Sequence, residues 1–430
     1  MTKKTRSTKL NGVSRRSVLM GAAGGLLAAS SPAFPQSPAV RRKTKIVYWN
    51  WADNPNHLKI SVDSVKMFND AQNFIEVELD ANMAVAESRK KLIVSYAAGA
   101  APDVIQTIQY WVQDLYNNGI IQGLDDYFNK WDAKDDFFPN LVQQARSKPG
   151  QPLLYLPLTN IVYFMYYRAD WFKEVGMDKP VTLDDVVKAG QLIAKPPERY
   201  GYAMRGTPYQ AIEIINPIWG SAGVKYADEK GNVDFDSKAA IGVTEKWVDM
   251  LRKDKSAQPT AVNDGMRELY TLMQNGKAAM WIYGPQASIS LMEALGDKIQ
   301  GYLAPKVGDG KHLTLANPEG PMMTSTSKEK EAAFEFMKFI STGDAALLYT
   351  AQRGSPPCRK SLASHPTFQQ NRFVKLCIDA ADTYWTPAYS HQHWANFQDR
   401  IAPFWQECLR GQITPTQFHQ KGAQLLRGEA

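Results

Sequence analysis

A change of hydrophobic period between residues 45 and 80 constrains this chain more than any other feature. Lys45-Ile46-Val47-Tyr48-Trp49 is a short β-prone run. Asn54 then offers an N-cap and Pro55 a first helical position. Leu58, Val62, Val65 and Phe68 follow at helical spacing, predicting one buried stripe. Next, Ile75, Val77 and Leu79 alternate strictly with Glu76, Glu78 and Asp80, the period of a half-buried strand. Strand, helix, strand is the opening of an α/β lobe. With 430 residues the chain exceeds one ordinary core, so two lobes are expected.

The pattern continues downstream. A helix is predicted over 84–98, stopped by Gly99, and Pro102 precedes a strand at Asp103–Thr107. Tyr155 to Tyr167 reads as one long aromatic β-run. Thr182 with Asp185 forms a capping box ahead of Val186, Ala189, Gly190 and Ile193. Residues 195–240 are rich in Gly and Pro and read mostly as loop. Ala278–Tyr283 is a strand ended by Gly284-Pro285. Thr326 with Glu329 suggests a second capping box, before Ala333, Phe336, Met337 and Ile340. The last 70 or so residues read as helical, broken by Pro387 and Pro415.

The formal charge of +7 raises the question of a nucleic-acid partner. Six positive charges (Lys3, Lys4, Arg6, Lys9, Arg15, Arg16) lie in residues 1–33, which hold no acid; without them the balance is +1. No basic stripe interleaved with aromatics remains, which argues against nucleic acid. Residues 1–39 read instead as a targeting segment. Ser14-Arg15-Arg16-Ser17-Val18-Leu19-Met20 leads into a weakly apolar stretch ending at Ala29, and resembles the twin-arginine signal. Cleavage is expected after Ala33 or Ala39. No Cys stands beside either site, which argues against a lipid anchor. No later run approaches the roughly 18 apolar residues of a membrane span, so a periplasmic protein is expected. Cys358, Cys377 and Cys408 leave two arrangements open, one disulfide with one free thiol or three buried thiols.

Several segments go beyond a generic α/β pattern. Residues 91–106 (KLIVSYAAGAAPDVIQ), Gly119 to Tyr127, Tyr155-Leu156-Pro157-Leu158 with Met165 to Phe172, Gly176 to Asp185, Gly276 to Met280 with Gly284-Pro285, and Ser327-Lys328 with Ala332 to Phe336 form an ordered set. It resembles the extracellular solute-binding proteins of the maltose-binding type. Two places depart from that pattern: Gln286 replaces the usual Trp after Gly-Pro, and Ala316-Asn317-Pro318-Glu319-Gly320 replaces a Gly-Gly. The resemblance implies an α/β, periplasmic-binding-protein-like (type II) fold, with two discontinuous lobes around a central ligand cleft. It implies an N-terminal lobe of 40–159 with 316–354 and a C-terminal lobe of 160–315 with 355–430. Crossings would fall near Thr159–Val162, Leu315–Pro321 and Gly354–Pro356. The implied function is delivery of a carbohydrate or related polyol to the permease of an ABC transporter, by a monomer that closes around its ligand.

A sugar has hydroxyls on its rim and C–H patches on its faces, so its site wants flat aromatics and polar rim groups. The chain carries 11 Trp and 19 Tyr, enough for a cleft as well as a core. Trp51 and Asp53 follow the first strand, where open α/β sheets place ligands. Tyr110 and Trp111 follow the next strand in the equivalent place, although Trp111 also fits the start of a helix. The resemblance adds Trp219, Tyr283 and Trp394. Trp281 reads as core. His391 and His393 have no recognisable third metal ligand nearby. No cofactor or catalytic residue is expected, because no phosphate loop, nucleophile elbow or His-Glu-x-x-His occurs. The alternatives are an exported enzyme, or a binder of a sugar phosphate or glycerol phosphate ester using Arg168 or Arg205.

Overall fold

The computed structural model describes residues 44–429 apart from 53–54, 84, 208–211 and 229. The predicted opening is present. β1 (Thr44–Trp49) is followed by α1 (Pro55–Ala71), β2 (Ile75–Asp80), α2 (Val85–Ala97) and β3 (Val104–Ile108). β1 lies between β2 and β3 and runs parallel to both, as helical crossovers require. Seven strands follow: β4 (Thr159–Val162), β5 (Phe164–Arg168), β6 (Tyr200–Tyr202), β7 (Ala278–Tyr283), β8 (Ile299–Tyr302), β9 (Thr314–Met323) and β10 (Tyr384–Trp385). They make two sheets, ordered β10-β9-β3-β1-β2, with β4 also on β9, and β6-β7-β5-β8.

The sequence hides β9, because Pro318 and Pro321 argue against a strand. It nevertheless pairs antiparallel with both β3 and β4. Gly320 is required there: a Cβ would lie 1.8 Å from the Leu156 carbonyl oxygen. The long run predicted from Tyr155 to Tyr167 is divided at Tyr163, whose N–H donates to Leu315 O at 3.0 Å. Val162 ends a strand of the first sheet and Phe164 begins one of the second. Residues on both sides of the break are buried, so no polar punctuation marks it in sequence.

The chain thus passes between the sheets at Tyr163 and again between β8 and β9. After Gly354 it stays with the first sheet's surroundings. Asn160 N–H donates to Pro356 O at 3.0 Å, and Arg359 Nε meets Asp136 at 2.8 Å. Arg372 then bonds the carbonyls of Gly296 and Ile299 at 2.8 and 2.9 Å. The third passage therefore comes between Leu362 and Arg372, later than Gly354–Pro356.

Two local expectations need correcting. The buried face of α1 is Ile60, Ser61, Ser64, Val65 and Phe68, whereas Leu58 and Val62 are 40% and 46% exposed. Buried serines are tolerated because Ser61 accepts from Asn50 and Ser64 donates to Ile60 O, each at under 3 Å. Asn54, its expected cap, lies outside the described residues. Thr326 does not cap the next helix, which begins at Lys330 after Glu329. Residues 195–240 hold β6 and a short helix, Asn216–Ser221. By contrast the Thr182–Asp185 capping box forms as predicted. Pro415 starts the helix Pro415–Arg427 at its first turn.

The second sheet's core joins Phe164, Tyr166, Trp281, Leu291, Phe373 and Cys377. Trp281 is core, as read. All three cysteines are free and buried, which selects the three-thiol arrangement. Among the described residues no helix is long and apolar enough to cross a membrane.

Candidate functional site

The C-terminal ends of β1 and β3 lie side by side and carry Trp51 and Gln109 to Trp111 into one region. Trp111 lies within α3 (Gln109–Asn117), which bears out its reading as part of a helix. Its ring meets Trp51 edge-on at 6.0 Å and Tyr110 at 5.7 Å. Tyr110 meets Tyr389 at 6.1 Å, and Tyr389 meets Trp394 at 5.2 Å. Four sequence-predicted residues therefore stand in one aromatic line, joined by Tyr389, which the sequence reading missed. Its only signal was an aromatic in the proline-broken segment just before His391. Tyr389 O–H donates to Asn317 Oδ1 of β9 at 2.9 Å. Asp53 lies outside the described residues.

The helix Trp394–Arg410 lies against α3, and Arg89 of α2 reaches both Asp114 and Asp399. These contacts shield the aromatic line. Trp51 is only 2% exposed.

Tyr283 belongs to a second group at the facing edge of the other sheet. Its ring meets Tyr163 at 6.2 Å, and Tyr163 O–H donates to buried Glu213 at 2.9 Å. Burial pushes the Tyr163 hydroxyl well above its usual range; Glu213 and Tyr283 add to this and Arg205 opposes it. Tyr283 is pushed up to about 12, by burial first and then by Tyr270. Glu213 also acts on Tyr389, so the two groups share one carboxylate field.

Trp219 is a correction. It is fully buried among Phe235, Trp405, Phe418 and His419, with its N–H donated to Thr244 at 3.0 Å. The short helix carrying it turns the indole into the second lobe's core. Arg168 is committed as well, to Asp170 through two bonds and to Gly276 O. His391 and His393 have rings 5.7 Å apart. No group of three metal-ligating side chains occurs among the described residues.

Several buried polar atoms lack partners among the described residues: Trp394 Nε1 on the line itself, Gln109 Oε1 beside Tyr110, Gln106 Nε2 on β3, Tyr155 Oη, and Nε and Nη1 of Arg205, which acts on the Tyr163–Tyr283 pair. Buried donors and acceptors are nearly always paired, and an unpaired one costs about 1–3 kcal/mol. Orphaned atoms alone do not mark a site, since Trp247 Nε1 is another, packed on Tyr202 in a separate core. What distinguishes this region is that an open donor, Trp394 Nε1, and an open acceptor, Gln109 Oε1, belong to a ring of the line and to the neighbour of one.

The sequence profile of the bacterial extracellular solute-binding proteins matches residues 64–346. The chain belongs to that family. Among similar curated solute-binding proteins are a binding protein of Brucella abortus and the multiple sugar-binding protein of Streptococcus mutans. The first is 24% identical over 301 residues, covering 68% of this chain and 72% of its own. The second is 24% identical over 330 residues, covering 70% and 72%. Solved solute-binding structures share the fold. One from Thermotoga lettingae, bound with α-D-tagatose, gives a TM-score of 0.78 at 18% identity, covering 90% of this chain and 99% of its own. One from Agrobacterium vitis with bound D-mannitol gives 0.73 at 21% identity, covering 90% and 98%. The fold is that of the type II periplasmic binding proteins.

Proposed function

We propose that this solute-binding protein takes a carbohydrate or related polyol between its two sheets and presents it to an ABC permease. The observation that carries this reading is the aromatic line Trp51–Trp111–Tyr110–Tyr389–Trp394 with orphaned donors and acceptors beside it. Rings cover the C–H faces of a sugar, and the orphaned atoms pair with its hydroxyls. Relatives named for mannitol and arabinooligosaccharide, and a structure bound with maltose, support the same chemistry. The lobes, about residues 40–162 with 316–362 and 164–315 with 372–430, close on ligand because contacts come from both sides. The protein acts as a monomer, carries no catalytic centre, and works in the periplasm.

Residues 1–39 direct export by the twin-arginine route. With Arg15 and Arg16 both changed to Lys, precursor accumulates in the cytoplasm; normal periplasmic levels would refute that route. The ligand class is tested by mass spectrometry of co-purified small molecules, followed by thermal shift with maltose, ribitol, D-mannitol and D-tagatose. Saturating ligand at 100 Kd adds about 2.7 kcal/mol of stability. A shift with glycerol 3-phosphate and none with any sugar or polyol would select the phosphate-ester reading instead.

A further inference from the structure

Arg89 stands in the second turn of α2, on the crossover between β2 and β3 of the first sheet. Its guanidinium pairs with Asp114 of α3, and its Nη1 also lies 3.8 Å from Asp399 Oδ2. Asp399 belongs to the helix Trp394–Arg410, which is anchored in the other half. There Trp405 meets Trp219 at 6.3 Å, and Gln406 Nε2 donates to Val262 O at 3.0 Å. One guanidinium therefore spans the two halves. Other charge pairs do not: Lys91–Asp80, Arg146–Asp125, Arg372–Asp297 and Arg427–Asp236 each close within one half.

The span lies beside the aromatic line. α3 carries Tyr110 and Trp111 in its first turn, and Asp114 follows Trp111 by three residues on the same face. The facing helix carries Trp394 at its first position and Asp399 five residues on. The rings are buried, whereas the Asp399 side chain is 70% exposed, so the charges sit at the rim. An exposed ion pair is ordinarily worth little, because two side chains must be ordered for it and salt screens it. Here Asp114 already orders the guanidinium, and an aspartate is short. Meeting Asp399 therefore costs little further conformational freedom.

We propose that Arg89 is a clasp, held ready by Asp114 in one half and engaging Asp399 of the other when the halves meet, so that bound ligand leaves more slowly. Asp399 is a positioning residue in this arrangement, acting on the closed state and not on the ligand. The contact forms only once the halves have met, so it lengthens residence and leaves capture unchanged. With an uncharged ligand, salt acts only on the protein's own charges, and release becomes salt-dependent.

The clasp rests on the carbohydrate reading of the site, and the experiment separates the two. Wild type, D399N and D399K are mixed with D-mannitol, ribitol, maltose and D-tagatose. Association and release are followed by stopped-flow tryptophan fluorescence at about 20 mM and about 500 mM salt, where charges are felt over roughly 20 Å and roughly 4 Å. At low salt D399N speeds release about two- to fivefold and D399K, which sets two cations together, speeds it further. Association stays within about 1.5-fold, and at high salt D399N and wild type release alike. D379N, which breaks the pair of Asp379 with Lys375 inside one helix of the second half, leaves release unchanged. A D399N protein releasing at the wild-type rate in low salt overturns the clasp, and if it also melts earlier, Asp399 serves the fold alone. D379N speeding release as much as D399N overturns it too, as a general effect of charge. Wild type that binds none of the four probes removes the carbohydrate reading itself, and the clasp with it.

Discussion

Trp219 and Trp394 are both fully buried tryptophans on helices of the second half, yet they sit in different kinds of surroundings. The indole N–H of Trp219 is taken by Thr244, whose hydroxyl also lies 2.7 Å from His419 Nε2. That of Trp394 has no partner among the described residues, and its ring joins Tyr226 and Phe397 to the line of aromatics reaching Trp51 in the other half. Burial does not distinguish them; polar accounting does. An aromatic whose hydrogen bond is already made belongs to the fold. One whose donor stays open, beside other open donors and acceptors, is prepared for something the chain does not supply.

The largest effect should come from Trp219→Ala, which removes a ring packed on five neighbours. Urea unfolding should show a loss of about 3–5 kcal/mol, while the folded fraction binds ligand within about threefold of wild type. A loss below 1 kcal/mol would return Trp219 to the cleft side of the comparison.

A loss of similar size should follow from acid. Burial lowers the His419 pKa to about 4, with Phe235, Ala240 and Asp236 opposing. The unfolded chain takes up a proton near pH 6.5, whereas the native imidazole stays neutral until about pH 4. The contribution is thus complete above pH 6.5 and is lost as pH falls from there to 4, by about 3 kcal/mol. His419→Gln should flatten the stability-against-pH curve in that window. His57, also lowered to about 4 by burial and Arg353, leaves a second contribution of the same sign.

Trp51→Ala probes the other kind of surroundings. Affinity should fall about 10- to 150-fold, equivalent to about 1.5–3 kcal/mol, with a smaller drop in melting temperature than Trp219→Ala. The reverse order, early unfolding with normal binding, would make Trp51 core. The smallest effect belongs to Tyr389→Phe, which removes the bond to Asn317 but keeps the ring. About 1 kcal/mol should be lost, in binding more than in stability, read by titration and melting of the one variant.

Much of this was legible in sequence where a period or a cap carried it. The β1–α1–β2 opening, the Thr182 capping box and β7 all announce themselves by spacing. Trp51, Tyr110 and Trp111 could be grouped from sequence because residues just past parallel strands share one edge, and their rings do meet. Trp219 was offered on the resemblance alone, since a six-residue helix has too few turns to show in sequence which face is inward. β9 was missed because its two prolines contradict strand propensity, and only the pairing with β3 and β4 overrides them. Tyr163, Tyr283 and Glu213 come from three separate stretches, and no local pattern relates them until the β5–β7 pairing sets Tyr163 beside Tyr283 and Tyr163 donates to Glu213.

β9 also sets a schedule. Its pairing joins Val104 to Met323 and Thr107 to Gly320, segments roughly 200 residues apart. During synthesis β1, β2 and β3 leave the ribosome early, but β3 waits with one open edge until three-quarters of the chain has been translated. Non-local pairing of this kind is slow, and unpaired edges invite aggregation. Nascent first-sheet strands are therefore the segments longest open to wrong pairing, and the arrival of β9 closes that interval.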